Sequence, residues 1–243
     1  MADRSNKLFV LCNPHNPTGK VFCIHDIKKI AALAGKYNKL VFSDEIFAEI
    51  AYGDNRVEPY AAIDPDHGIT STSLGKLFNF TGVNHANLII KNEEIRGKYL
   101  GQREIDHFGS IDPFFYCALI AGYSNEGLAW SRAMAEHTWG NYCTIREYIK
   151  EKLPYISISP LEGSFVAWMD FRALNMDDKM LERFLRDRAN IIADPGVVYG
   201  LGGSGFFRLN IATARERIYA FLNNLTKACD GLRINSVKGE ETV

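Results

Sequence analysis

Three short segments of this chain carry residues whose types and order could do covalent chemistry on small molecules. They are Asn13-Pro14-His15-Asn16-Pro17-Thr18-Gly19, Ser43-Asp44-Glu45-Ile46, and Ser73-Leu74-Gly75-Lys76-Leu77-Phe78-Asn79-Phe80-Thr81-Gly82. A lysine between small residues can form a Schiff base with an aldehyde and, once displaced, act as a general base. A carboxylate placed against a heterocyclic nitrogen keeps that nitrogen protonated, and an asparagine amide can donate to a phenolic oxygen. Further along, Arg208 offers the planar fork that suits a carboxylate. Taken singly each is ordinary, since most lysines are surface charges and most acidic pairs after a strand are solvated or capping. It is their joint order along one chain that singles them out.

The elements that must position these residues can be read from hydrophobic pattern. Leu8-Phe9-Val10-Leu11-Cys12 is a continuous apolar run ended by Asn-Pro, the pattern of a buried strand feeding a loop. Ile27, Ile30, Ala31 and Ala34 recur at helical spacing behind Asp26, and the segment from Gly35 to Asn38 closes that helix. Leu40-Val41-Phe42 is a second buried strand. Strand, helix and strand make a βαβ unit with parallel strands joined right-handedly, so Asp44 falls at a strand's carboxyl end, where open α/β sheets bind ligands. Residues 69–73 and 87–91 read as further strands, with Lys76 on the connection between them. Helices are expected over about 92–104, 113–122 and 124–152. Beyond these come a strand over 164–171, a helix around 177–189, a strand over 206–211 and a final helix. Thr213 and Glu216 have capping-box spacing for that last helix, and Ile218, Phe221, Leu222 and Leu225 form its apolar stripe. Strand alternation puts Arg208 and Asn210 on one face and Phe207, Leu209 and Ile211 on the other.

Composition narrows the function classes. With 47% hydrophobic and 23% charged residues the chain reads as globular rather than disordered or fibrous. Its formal net charge of -1 gives no electrostatic footprint for nucleic acid or an anionic membrane, so a small-molecule substrate is the expectation. Five cysteines without a CxxC pair suggest neither a disulfide framework nor a zinc site, and the histidines show no metal spacing; no metal is expected. No apolar stretch approaches the roughly 20 residues that cross a bilayer, and the reduced thiols suit the cytoplasm. His15 is expected to serve the loop and His85 to be structural. Gly200 to Gly205 precedes a strand rather than opening a helix, so it is read as a turn.

Across nearly its whole length the chain resembles the fold-type I pyridoxal-phosphate enzymes, the aminotransferase class I/II superfamily. Asn13 to Gly19 is similar to that family's NPxNPTG loop, which implies that Asn16 donates to the cofactor's phenolic oxygen and that the Asn16–Pro17 bond is cis. Ser43 to Ile46 resembles the block in which the aspartate partners the ring nitrogen, a role that falls to Asp44. The segment from Ser73 to Gly82 resembles the SxSKxFNxxG signature of the carbon–sulfur lyases related to cystathionine β-lyase, implying a Schiff base at Lys76 and a phosphate contact at Ser73. Gly205 to Ala212 resembles the segment whose arginine grips the substrate α-carboxylate, so Arg208 takes that role. Glu162-Gly163-Ser164-Phe165 resembles a small-domain turn of the same branch.

The resemblance implies an α/β fold: the C-terminal part of the large domain, a mainly parallel sheet with helices on both faces, over residues 1–130, and a smaller α+β domain over 131–243. Because the first motif appears at residue 13, the chain is read as the back part of an enzyme whose N-terminal part is absent. The function implied is α-proton abstraction by Lys76 followed by β-elimination from cystathionine or a similar cysteine conjugate. An aminotransferase would use the same residues, and a truncated, inactive remnant or interaction protein is the alternative from another class. A homodimer is implied for the full-length form. Three positions depart from the pattern: Phe47 stands where a Tyr or His donor is usual, Gly75 precedes the lysine in place of Ser or Ala, and Asn84 stands where many aminotransferases have a phosphate-binding arginine.

Overall fold

A computed structural model describes residues 1–83, 85–109 and 112–232. Asn84 and the polar tail from Arg233, read above as loose, lie outside the described residues. Two compact units emerge, the first made of Met1–Trp139 with Pro160–Phe165, the second of Gly140–Ser159 with the chain from Val166 on.

In the first unit, β1 (Leu8–Cys12), α1 (Ile24–Tyr37) and β2 (Leu40–Asp44) form the expected βαβ unit, and β1 and β2 are parallel, with Cys12 opposite Asp44. A short helix α2 (Tyr60–Ile63) precedes β3 (Gly68–Thr72), which runs parallel to β2 with Ser71 opposite Asp44. The single-turn helix α3 (Leu74–Leu77) leads toward β4 (Asn87–Ile90), which closes the sheet antiparallel to β3. The strand order is thus β1-β2-β3-β4.

The apolar side of α1 forms because Ile27 and Ala34 lie two helical turns apart; both are buried with Leu11, Val41 and Tyr60, and Ile30 and Ala31 pack beside them. Burying an isoleucine in this way is worth roughly 1.5–3 kcal/mol. Asn38 ends the helix in a left-handed conformation (φ 49°), its N–H returned to the Ala34 and Gly35 carbonyls.

Helices α4 (Glu93–Ile105), α5 (Pro113–Gly122) and α6 (Asn125–Lys152) follow. Asn92 caps α4 through the Glu94 and Ile95 N–H groups, and Asp112 caps α5 ahead of Pro113.

The second unit is built on an antiparallel sheet of order β5-β6-β8-β7, formed by β5 (Ser157–Ile158), β6 (Val166–Asp170), β7 (Asp194–Pro195) and β8 (Phe206–Asn210). The helix expected around 177–189 is α7 (Asp178–Arg183) followed by a π-helical turn, Phe184–Arg188. The last helix, α8 (Arg215–Asp230), buries Ile218, Leu222 and Leu225 as its stripe requires. Its start differs from the capping-box expectation: Ala214 is the cap residue, without a side-chain cap bond. Thr213 instead forms a turn, its N–H on the Ile211 carbonyl at 2.9 Å and its own carbonyl held by the Asn141 amide at 2.8 Å.

Candidate active site

Because β1, β2 and β3 are parallel, their carboxyl ends lie along one edge of the sheet, and the chemistry-bearing segments all leave from that edge. The loop 13–19 follows β1, Asp44 ends β2, and Ser73 and Lys76 follow β3 directly.

The loop is folded back onto the strand ends. The Asn13 N–H donates to the Asp44 carbonyl at 3.0 Å, and the buried Asn13 side chain accepts from the Phe22 N–H at 3.0 Å. Both Asn13–Pro14 and Asn16–Pro17 are cis peptides. The Asn16 N–H points at Cys12 Sγ (3.5 Å), whose thiol donates to the Pro14 carbonyl at 3.3 Å. His15 serves the loop as expected, its Nδ1 2.8 Å from Thr18 Oγ1.

Asp44 is half-buried, and burial pushes its carboxyl above the ordinary value, offset in part by the Ile46 N–H at 3.3 Å and by the positive charge of Lys76. A carboxylate held in that state is stabilised by a cationic partner. Lys76 sits on α3, whose first turn is capped by Ser73 Oγ accepting from the Gly75 N–H at 3.1 Å. The same Ser73 hydroxyl donates to the His85 carbonyl at 2.8 Å, so a phosphate contact there would use a proton now given to that carbonyl. Gly75 is sterically permissive: an added Cβ would stand 3.4 Å from Ser73 Oγ, an ordinary contact. The donor set of Asn16, Asp44, Ser73 and Lys76 fits pyridoxal phosphate, with an acid for its ring nitrogen, an amine for its aldehyde and hydroxyl and amide groups for its oxygens.

Two groups of residues escaped functional reading in the sequence. Glu162-Gly163 was used above only as a family mark, yet it clamps the Asn16 loop. The Glu162 and Gly163 N–H groups both donate to the Gly19 carbonyl at 2.9 Å, and the Glu162 carboxylate holds Lys20 Nζ at 2.7 Å and the Val21 N–H at 2.9 Å. The second is Glu45, which is 2% exposed and accepts from the Tyr60 N–H at 2.8 Å and the Thr70 hydroxyl at 3.3 Å. Its own N–H donates to the Ser71 carbonyl at 2.9 Å, tying the residue after Asp44 to β3. Phe47 is buried edge-on against Phe165, ring centroids 5.1 Å apart, where it can pack but cannot donate.

Arg208 lies on β8 with its side chain on the face away from the buried Phe207 and Ile211, as alternation requires. Its Nε donates to Asp194 Oδ2 at 3.0 Å, Nη2 engages the same oxygen, and its guanidinium lies 5.3 Å from the centre of the Tyr199 ring. A cavity of about 410 Å³ in the first unit is lined by Tyr52, Leu77, Trp139, Glu49, Arg132 and Glu136, and includes none of the four candidate cofactor residues. Among the described residues no group of three or more His, Cys, Asp or Glu gathers as a metal site.

Residues 2–225 match the family described as Aminotransferase class I and II. The chain belongs to that family. It is 29% identical to cystathionine beta-lyase PatB of Bacillus subtilis (strain 168) over 213 residues, covering 86% of this chain and 55% of that protein. It is also 29% identical to protein MalY of Escherichia coli (strain K12) over 228 residues, 93% of this chain and 58% of the other. Among solved structures, cystalysin from Treponema denticola, which contains a pyridoxal 5'-phosphate cofactor, superposes with a TM-score of 0.90 at 32% identity, over 94% of this chain and 58% of that one. The family fold is therefore the α/β architecture of fold-type I, and the chain spans a little over half the length of these relatives.

Proposed function

We propose that this chain carries the cofactor lysine of a pyridoxal-phosphate enzyme acting on amino acids, and that the reaction is carbon–sulfur β-elimination of the cystathionine β-lyase type. The observation that carries the reading is that Asp44 ends β2 while Lys76 follows the adjacent parallel strand β3 on α3, where its positive charge acts to lower the raised pKa of the Asp44 carboxyl. When bound, the cofactor supplies an electron sink for the substrate α-carbon. The chain's own residues do the rest. Lys76 holds the aldehyde and then takes the α-proton, Asp44 keeps the ring nitrogen protonated, Asn16 donates to the phenolic oxygen, and Ser73 contacts the phosphate. Arg208 binds the substrate α-carboxylate.

Residues 1–130 would form the cofactor-binding part and 131–243 the small domain. The cytoplasm is the proposed compartment; among the described residues no helix is long and apolar enough to cross a membrane. A homodimer of the full-length form is supported by α5, which leaves Phe114, Tyr116 and Ile120 exposed.

An aminotransferase is the second reading, favoured by the family match itself and by 25% identity to an aspartate aminotransferase of Pyrococcus horikoshii. Supplying L-cystathionine with pyridoxal phosphate separates the two. Pyruvate release without a keto-acid acceptor supports the lyase, whereas amino transfer that requires the acceptor supports the aminotransferase. Neither activity, in a chain that does not retain cofactor, would favour the inactive remnant or interaction protein.

A further inference from the structure

The carboxylate-binding arginine is held by a carboxylate of its own chain. Asp194 and Arg208 are direct partners in the β7–β8 register, so the backbone ladder fixes the acid opposite the guanidinium. Asp194 Oδ2 takes both Nε and Nη2, the fork edge that a bidentate carboxylate ligand uses. The pair is unequally placed: the Arg208 side chain is 24% exposed and that of Asp194 is 54% exposed. The arginine is also fixed from its face, by the Tyr199 ring, and Tyr199 is in turn braced edge-on by Trp168. Asp194 sits on the edge strand of the sheet and can swing into solvent without disturbing the core.

We propose that Asp194 is a specificity-determining residue, an internal competitor that occupies Arg208 until a substrate carboxylate displaces it. This rests on the reading of Arg208 as the α-carboxylate grip. In effect Asp194 supplies a tethered carboxylate at high local concentration, so ligands that meet only the guanidinium bind weakly. It also positions Arg208, by holding the fork edge outward between turnovers.

The test uses the full 243-residue chain and titration calorimetry with 3-(methylthio)propanoate and its neutral amide. The expected result is that Asp194→Asn and Asp194→Ala bind the carboxylate about three- to fivefold more tightly, the scale of a partly exposed ion pair, while amide binding is unchanged. Asp194→Glu should restore the weaker binding, and Arg208→Gln should abolish the preference for carboxylate over amide. Circular dichroism verifies folding of each variant. If Arg208→Gln removes the preference but neither Asp194 variant tightens carboxylate binding, the competitor proposal is overturned and the Arg208 reading stands. If Arg208→Gln keeps the preference, both fall.

Discussion

The Lys20 ammonium lies 2.7 Å from the Glu162 carboxylate, 142 residues away in the chain, and the same carboxylate accepts the Val21 N–H. The ion pair itself is partly exposed and contributes little, but the charge-assisted bond to the backbone N–H fixes the exit of the Asn16 loop. Glu162→Ala should therefore cost about 1–2 kcal/mol, seen as a fall in Tm of several degrees, and should weaken retention of pyridoxal phosphate. Glu162→Gln keeps an acceptor for Val21 and should lose less than half as much. Thermal melts and cofactor titration of the two variants check this.

Gly163 approaches the same loop so closely that a side chain has no room. An added Cβ would stand 2.7 Å from Pro14 Cγ and 3.0 Å from the Ile50 carbonyl oxygen. Gly163→Ala should destabilise by about 1–3 kcal/mol through overpacking. Gly97 and Gly101 on α4 supply the contrast, since a Cβ there meets nothing within 4 Å. Alanine at either should raise stability by about 0.5–1 kcal/mol, measured by urea denaturation alongside Gly163→Ala.

Asp44 is held at the sheet edge at some cost to the cofactor-free fold. Burial raises its pKa above the ordinary 3.8, so the folded chain binds more protons than the unfolded chain between those two values, and stability falls as pH rises through them. At neutral pH the ionised, half-buried carboxyl is a penalty that Asp44→Asn removes. The variant should melt higher than the wild type at pH 7, with the difference vanishing as pH falls below 3.8. The same variant should lose cofactor affinity, because the amide cannot hold a protonated ring nitrogen. Melts across pH, with and without pyridoxal phosphate, read both effects.

Much of this arrangement was legible because it is local. The strand at Leu8 to Cys12, the stripe of Ile27 to Ala34 and the position of Asp44 at the end of β2 follow from apolar pattern, but the burial expected of the first strand does not hold, because β1 is the outer strand of its sheet and leaves Leu8, Phe9 and Val10 exposed. The outward aim of Arg208 followed from alternation. What pattern does not encode is contact between distant segments. Glu162 and Gly163 clamp the Asn16 loop across 140 or so residues, and no periodicity in either segment announces the partner. Asp194 meets Arg208 through a two-residue strand too short to leave a pattern. Thr213 had the right spacing to cap α8, yet its carbonyl is drawn to Asn141, so tertiary contact overrode a local signal.

The most direct test of the central claim is chemical. The purified chain is incubated with pyridoxal phosphate, reduced with borohydride, digested and mapped by mass spectrometry. The account predicts a pyridoxyl adduct concentrated on the peptide containing Lys76, absent in Lys76→Ala and diminished in Asp44→Asn. Labelling spread over surface lysines with Lys76 unmodified would contradict it.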